Sequence, residues 1–369
     1  MRLILALAIL VAASTAADAY PIFQFSTGSQ RCSDCHFSPT GGGLLNMFGR
    51  SENGDTISWT GNGELLYGAW TPPEALSLGA DFRVAGLGID REGDDDQLAV
   101  FPMQADLHAR VETGPVAFGG TVGLNGSARD RPGGARLASY VVSREHYAMY
   151  QKAPGEPYLK LGRFFPALGV RTADHTALAR RAVDAYAMQE PYALGGGASG
   201  DAWELHASLF APNPFGAGPQ PFGGTAYYER FFDDTALAGQ TRVAVTGDDT
   251  RVLIGAVARK WIPAARLMLL GELDGQVQRI AGASVSRLQW VGYANATFVI
   301  LPGLAIGAVA QRWDPDLGLG GTARTTGELN LELFPFAHLE LHILARSSWS
   351  GSLTGSRDSL GLVQVHYWL

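Results

Sequence analysis

The feature that most constrains this chain is a two-residue alternation of apolar and polar side chains, sustained over segments much longer than ordinary strands. Across residues 101–112 one face carries Phe101, Met103, Ala105, Leu107, Ala109 and Val111, and the other Gln104, Asp106, His108, Arg110 and Glu112. Leu76, Leu78, Ala80, Phe82 and Val84 alternate with Ser77, Gly79, Asp81 and Arg83. Leu329, Leu331 and Leu333 alternate with Glu328, Asn330 and Glu332 in the same way. A period of two marks half-buried strands. The polar face here carries more charge than the core of a soluble sandwich could neutralise. An apolar exterior around a polar lumen accommodates both faces, and that is the pattern of a transmembrane β-barrel.

Sixteen strands are read, at 75–89, 98–112, 115–127, 137–150, 157–165, 184–194, 202–210, 222–231, 235–246, 251–261, 265–278, 285–300, 303–312, 323–333, 337–347 and 358–369. An even count suits a bacterial single-chain barrel. The connections also alternate. Short Pro- or Gly-marked turns such as Thr113-Gly114, Gly195-Gly196-Gly197 and Pro302-Gly303 are followed by longer, polar loops at 90–97, 128–136, 166–183, 211–221, 313–322 and 348–357. Short periplasmic turns and long outer loops are the expected asymmetry. The C-terminal strand, with Tyr367, Val365, Val363 and Gly361 on alternate positions before Leu369, resembles the terminal strand of bacterial outer-membrane proteins, which usually ends on an aromatic residue.

Composition agrees. The chain has 369 residues, 46% hydrophobic and only 17% charged, against about 25% charged in soluble domains. That excludes a disordered chain. The longest apolar run, Leu3 to Ala13, is too short for a membrane-spanning helix. A net charge of −7 gives no footprint for nucleic acid. Arg2, the run Leu3 to Ala13 and Ala17-Asp18-Ala19 read as a signal peptide over 1–19, so that the mature chain starts at Tyr20.

The two cysteines stand in Cys32-Ser33-Asp34-Cys35-His36. Thiols at this spacing can form thioethers with the two vinyl groups of one haem c, with His36 as the proximal iron ligand. A small disulfide or a redox dithiol is the alternative, though a thioredoxin-like dithiol belongs in a βαβ context that is lacking here. Zinc needs about four ligands, and three candidates are present. The fold expected is therefore all-β: a 16-stranded antiparallel transmembrane barrel over 71–369, preceded by a small, mostly irregular or helical c-type haem segment over 20–70. Because such a segment is too small to bury a core alone, it is expected to enter the lumen as a plug or to hang below the pore on a tether.

The stretch Pro21 to Arg50, with Phe23, Phe25, the Cys32/Cys35/His36 motif, Pro39, Leu44, Leu45 and Phe48-Gly49-Arg50, resembles the fused monohaem cytochrome c–porin family of the bacterial outer membrane. The resemblance implies an electron-transfer conduit that oxidises an extracellular reduced metal such as ferrous iron and delivers electrons to a soluble periplasmic cytochrome. Gly41-Gly42-Gly43 and the run 51–55 depart from that pattern. For the ligand opposite His36, Met47 is one candidate, and thioether ligation raises the reduction potential. The α-amine of Tyr20 is another, since Tyr20-Pro21-Ile22-Phe23 resembles the start of cytochrome f, which uses its terminal amine in this way. No catalytic residue is assigned.

Three further groups attract notice. His338, Glu340 and His342 alternate on a strand, and with His108 they could ligate a transition metal in the lumen. Asp94-Asp95-Asp96, Asp248-Asp249 and Asp314 with Asp316 place acid at outer loops. The loop 166–183, with Arg171, Asp174, His175, Arg180 and Arg181, is long enough to fold inward as a constriction. Three functions fit these features: an electron conduit, a solute or anion porin whose haem segment senses, gates or stabilises, and a barrel sleeve for a separate multihaem cytochrome.

Overall fold

A computed structural model of the chain describes residues 20–93, 96–126, 140–172, 174, 176–185, 189–214 and 220–369. The expected signal segment, Asp94, Asp95, His175 and the loop 128–136 lie outside the described residues.

The strands are β1 (Leu76–Arg91), β2 (Gln97–Thr113), β3 (Val116–Asn125), β4 in two pieces (Val141–Val142 and His146–Gln151) and β5 (Tyr158–Arg163). There follow β6 (Tyr192–Gly200), β7 (Trp203–Ala211), β8 (Phe222–Phe232), β9 (Thr235–Thr246), β10 (Asp249–Ile262) and β11 (Leu267–Ile280). The last five are β12 (Arg287–Leu301), β13 (Leu304–Asp314), β14 (Arg324–Phe336), β15 (Leu339–Ser350) and β16 (Arg357–Trp368). Each pairs antiparallel with the next, and both pieces of β4 lie against β3, so seventeen extended segments make sixteen barrel strands. β1 pairs with β16 from Asp81↔Trp368 to Arg91↔Asp358 and closes the sheet.

The alternation sorts as expected. Leu98, Val100, Leu107, Ile254, Leu273 and Leu329 stand exposed on the outer surface, while Asp81, Arg83, Asp106, Glu204, Glu229 and Arg259 are buried inside. Interior charges meet opposite charges: Arg144 Nε lies 3.0 Å from Asp106 and Arg163 NH2 lies 3.0 Å from Glu190. Strand boundaries follow the sequence reading within a few residues, with one exception. The sixth strand, expected at 184–194, is Tyr192–Gly200, so Gly195-Gly196-Gly197 lie inside it and the turn is Asp201-Ala202. Its glycines make room for inward side chains. A Cβ on Gly195 would stand 3.0 Å from the Phe164 ring, and one on Gly197 would stand 2.6 Å from His206 Nδ1.

The described residues of 164–191 form the inward loop. The Val170 amide donates to Glu272 Oε2 at 2.8 Å, the Leu178 amide donates to Gln311 Oε1 at 2.7 Å, and Arg346 NH2 meets Asp174 Oδ2 at 2.5 Å. The segment before the barrel also lies inside it, at the short-turn end. Its bonds reach around the rim: Lys160 Nζ to Ser38 Oγ at 3.1 Å, Gln30 Nε2 to the Asp233 carbonyl at 2.9 Å, the Gly303 amide to the Ile57 carbonyl at 2.7 Å and Tyr67 OH to the Ala337 carbonyl at 2.7 Å. Ile22, Phe23 and Phe25 join a buried cluster with the barrel residues Tyr227, Trp261, Met268 and Phe334.

Overpacking at the sixth strand gives a direct check of this register. Gly197→Val is expected to destabilise the barrel by about 1–3 kcal/mol, read as a lower midpoint in heat-modifiability gels. Gly239→Val, where nothing lies within 4 Å of the added carbon, is expected to leave the midpoint unchanged.

Candidate functional site

The haem-motif residues occupy one tight turn. α1 (Cys32–Cys35) starts where Asp34 Oδ2 accepts the Gln30 and Arg31 amides, each at 2.9 Å, and closes where the His36 amide donates to the Cys32 carbonyl at 2.9 Å. The chain then doubles back. Gly41, Gly42 and Gly43 all have positive φ, which side chains with a Cβ resist, and His36 pairs with Leu45 across the bend. A Cβ on Gly41 would lie 3.0 Å from that of Cys32. The triple glycine, atypical as sequence, is thus what lets the return strand pass the turn that carries the two cysteines.

Asn46 is the residue that sequence reading missed. Its side-chain oxygen accepts the Gly49 amide at 2.9 Å and so caps α2 (Met47–Glu52). Its amide nitrogen donates to the Asp34 carbonyl at 2.8 Å, and its own backbone amide donates to the Cys35 carbonyl at 2.9 Å. An Asn directly before a short helix was the available signal. α2 sits hard against α1: a Cβ on Gly49 would stand 2.3 Å from the Cys35 carbonyl oxygen.

Cys32, Cys35 and His36 line a single cavity within the short-turn end of the barrel, together with Tyr20 and residues of the wall and the inward loop. Phe23, Tyr227, Val257, Phe334 and Trp368 make its apolar side, with Phe23 edge-on to Phe334 at 5.4 Å between centroids. Three guanidiniums reach it. Arg31 donates to the Asp201 carbonyl at 2.9 Å, Arg171 to the Thr40 carbonyl at 2.5 Å, and Arg259 Nε to Glu229 Oε1 at 2.9 Å. Tyr20 OH donates to Glu340 Oε2 at 2.5 Å, and His366 bridges Glu340 at 3.0 Å and Asp81 at 2.6 Å.

The electrostatics distinguish the chemistries open to this motif. Burial pushes the Cys35 thiol up to about 11 and raises that of Cys32. A redox dithiol needs a lowered thiol, so the environment does not suit that reading. The two thiols are not joined in a disulfide. Burial drives His36 down to about 4, which keeps a neutral imidazole whose lone pair can bind iron, and its Nδ1 is buried without a hydrogen-bond partner. A largely apolar cavity with two thiols and a neutral imidazole on one turn, and guanidiniums beside it, suits a covalently held haem. The residues fit that group.

The other candidates are dispersed. Met47 is 86% exposed and does not line the cavity, whereas Tyr20 does. His338 is not on a strand: it lies in the turn between β14 and β15 with φ 72°, and its Nε2 donates to the Glu64 carbonyl at 3.0 Å. His342 donates to Asn330 Oδ1 at 3.1 Å. Among the described residues no group of three or more His, Cys, Asp or Glu side chains is placed to hold a bare metal ion. Arg171 turns toward Thr40 and, 3.6 Å away, Glu204. Asp249 pairs with Arg251 at 2.8 Å, and Asp314 accepts from Thr322 at 2.8 Å.

No family model matches the sequence, and no curated protein matches it. Solved structures do resemble it. OmpT of Vibrio cholerae, an outer-membrane protein, aligns with a TM-score of 0.60 at 10% identity over 81% of this chain and 99% of its own. OprB of Pseudomonas putida gives 0.60 at 11% over 80% and 94%. An anion-selective porin from Comamonas acidovorans gives 0.57 at 8% over 80% and 99%. The likeness shows the porin barrel fold. It lends no support to membership of a cytochrome–porin family.

Loss of the Asn46 cap tests the coupling of the two helices. Asn46→Ala is expected to cost about 1 kcal/mol and to speed hydrogen exchange at residues 34–36 and 49–52 together, while exchange in β9–β12 stays unchanged.

Proposed function

We propose that the chain is an outer-membrane barrel carrying one covalent haem c inside the short-turn end of its lumen, and that it acts in electron transfer between a reductant arriving from the long-loop side and a soluble carrier in the periplasm. The observation that carries this reading is the convergence of Cys32, Cys35 and His36 on one apolar cavity enclosed by the barrel wall. When bound, haem c supplies a one-electron iron couple. The thiols of Cys32 and Cys35 would hold it as thioethers, and His36 would bind its iron from one side. Phe23, Phe334 and Trp368 exclude water from that space, and Arg171 and Arg259 offer positive charge to carboxylates. Tyr20 lines the same cavity. The lumen above is polar: Glu332 and Glu340 line a second cavity together with Arg83 and with Arg346, which pairs with Asp174 and Glu328.

A second reading is a solute porin stabilised or gated by residues 20–68. The porin fold of the barrel favours it, and for the barrel alone it has the better support. A sleeve around a separate multihaem cytochrome has no observation in its favour, since the short-turn end is already filled by the chain's own N-terminal segment.

Two measurements separate these readings. A haem stain on denaturing gels is expected for the native chain and is expected to vanish in Cys32→Ala/Cys35→Ala while the barrel still folds; a stain that survives rejects covalent attachment. Deleting residues 20–70 is expected to leave a folded barrel with higher single-channel conductance. Normal conductance in the intact chain, together with no haem stain, would establish the porin reading.

A further inference from the structure

We infer that the exposed face of α2 is the docking surface for a soluble, positively charged one-electron carrier protein. This rests on the haem reading above. α2 is the part of the N-terminal segment that touches both the attachment turn and solvent. Its Gly49 packs on the Cys35 carbonyl, and one hydrogen bond of 2.9 Å, from the Asn46 amide, links Cys35 to the residue before Met47. A short covalent and hydrogen-bonded route therefore runs from the cavity to the outer turn of this helix.

That turn ends in two large apolar side chains. Met47 is 86% exposed and Phe48 42% exposed, although Arg50 of the same helix is tied to the barrel at the Leu78 carbonyl. Methionine and phenylalanine at the centre of a patch, with charge around them, match the composition of protein interfaces. The surrounding charge selects the partner. Residues 46–75 carry Glu52, Asp55, Glu64 and Glu74 against Arg50 alone, and the Arg50 guanidinium is turned to the Leu78 carbonyl. Asp55, Glu64 and Glu74 are exposed. Glu52 and Asp55, on this helix and the helical turn that continues it, put acid beside the apolar tip, which attracts a basic protein and speeds its encounter. The same charge repels the anionic headgroups that a lipid-binding face would need to attract.

The test uses the full-length protein in detergent, with mitochondrial cytochrome c as a basic carrier and a flavodoxin as an acidic one. Binding is read by calorimetry and cross-linking, which need no electron transfer, and haem content is read separately from the spectrum. The basic carrier is expected to bind and to lose about tenfold or more in affinity between about 20 and 300 mM salt. Asp55→Asn/Glu64→Gln/Glu74→Gln and, separately, Phe48→Ser are each expected to weaken it about tenfold with the haem spectrum unchanged. Equal affinity in these variants, equal binding of the flavodoxin, or loss of binding when lipid bilayers replace detergent would overturn the inference. A haem-loaded chain that fails to bind the basic carrier refutes the surface alone. A haem-free chain that still binds it in this salt-dependent way refutes the haem reading and leaves the surface standing.

Discussion

Everything in this molecule depends on the pairing of its first strand with its last. An open sheet of this length would present two rows of unpaired amides and carbonyls, and neither lipid nor an apolar neighbour could satisfy them. The ladder from Asp81↔Trp368 to Arg91↔Asp358 removes both edges. Closure also fixes which face of every strand is inside. With outward positions given to Leu98, Leu273 and Leu329, charged side chains such as Asp81, Glu204, Glu229 and Arg259 are confined to the lumen.

A lumen so charged is a costly interior unless each charge is paired or hydrogen-bonded. The inward loop and the N-terminal segment supply many of the missing partners. Backbone amides of the loop satisfy Glu272 and Gln311, while Asp174 answers Arg346. Lys160, only 1% exposed, lies between Glu145 at 3.3 Å, Ser38 at 3.1 Å and the ring of Tyr147. Tyr20 satisfies Glu340. The dependence runs both ways. The segment 20–68 has two helices of four and six residues, too short to persist in isolation. It takes its apolar cover from Tyr227, Trp261 and Phe334 of the wall.

Much of the fold was legible because a barrel writes its geometry into every second residue. β9 keeps the bounds read from the sequence, 235–246, because turns mark both its ends. β6 was misplaced because its inward positions are glycines: the alternation it should display belongs to Phe164, Tyr158 and His206, which fill that space from neighbouring elements. The Cys32-x-x-Cys35-His36 spacing was visible in the sequence, and the structure sets the three residues on one turn. What surrounds that turn was not visible. Arg171, Arg259 and Phe334 lie more than a hundred residues from Cys32 in sequence and meet it only through closure of the barrel and the inward course of the loop. His338 looked like a strand residue because the residues after it alternate, and only the left-handed turn at that position removes it from the lumen.

The two halves of the site make different demands. In the reading proposed above, thioether attachment to a turn would fix a cofactor's edge but leave its faces to be covered, and a segment of this size cannot cover them unaided. A barrel wall can, provided that the turn is carried into the lumen and held at a set depth. The triple glycine bend, the Asn46 bridge and the Gly49 contact with Cys35 set that depth from within the segment. The rim contacts at Gln30, Ile57 and Tyr67 set it from the barrel. Because the same helix that braces the turn also presents Met47 to solvent, a force that displaced α2 would disturb the cavity and the outer surface together. Binding at one should therefore be felt at the other, which a pore lined by independent side chains would have no means to do.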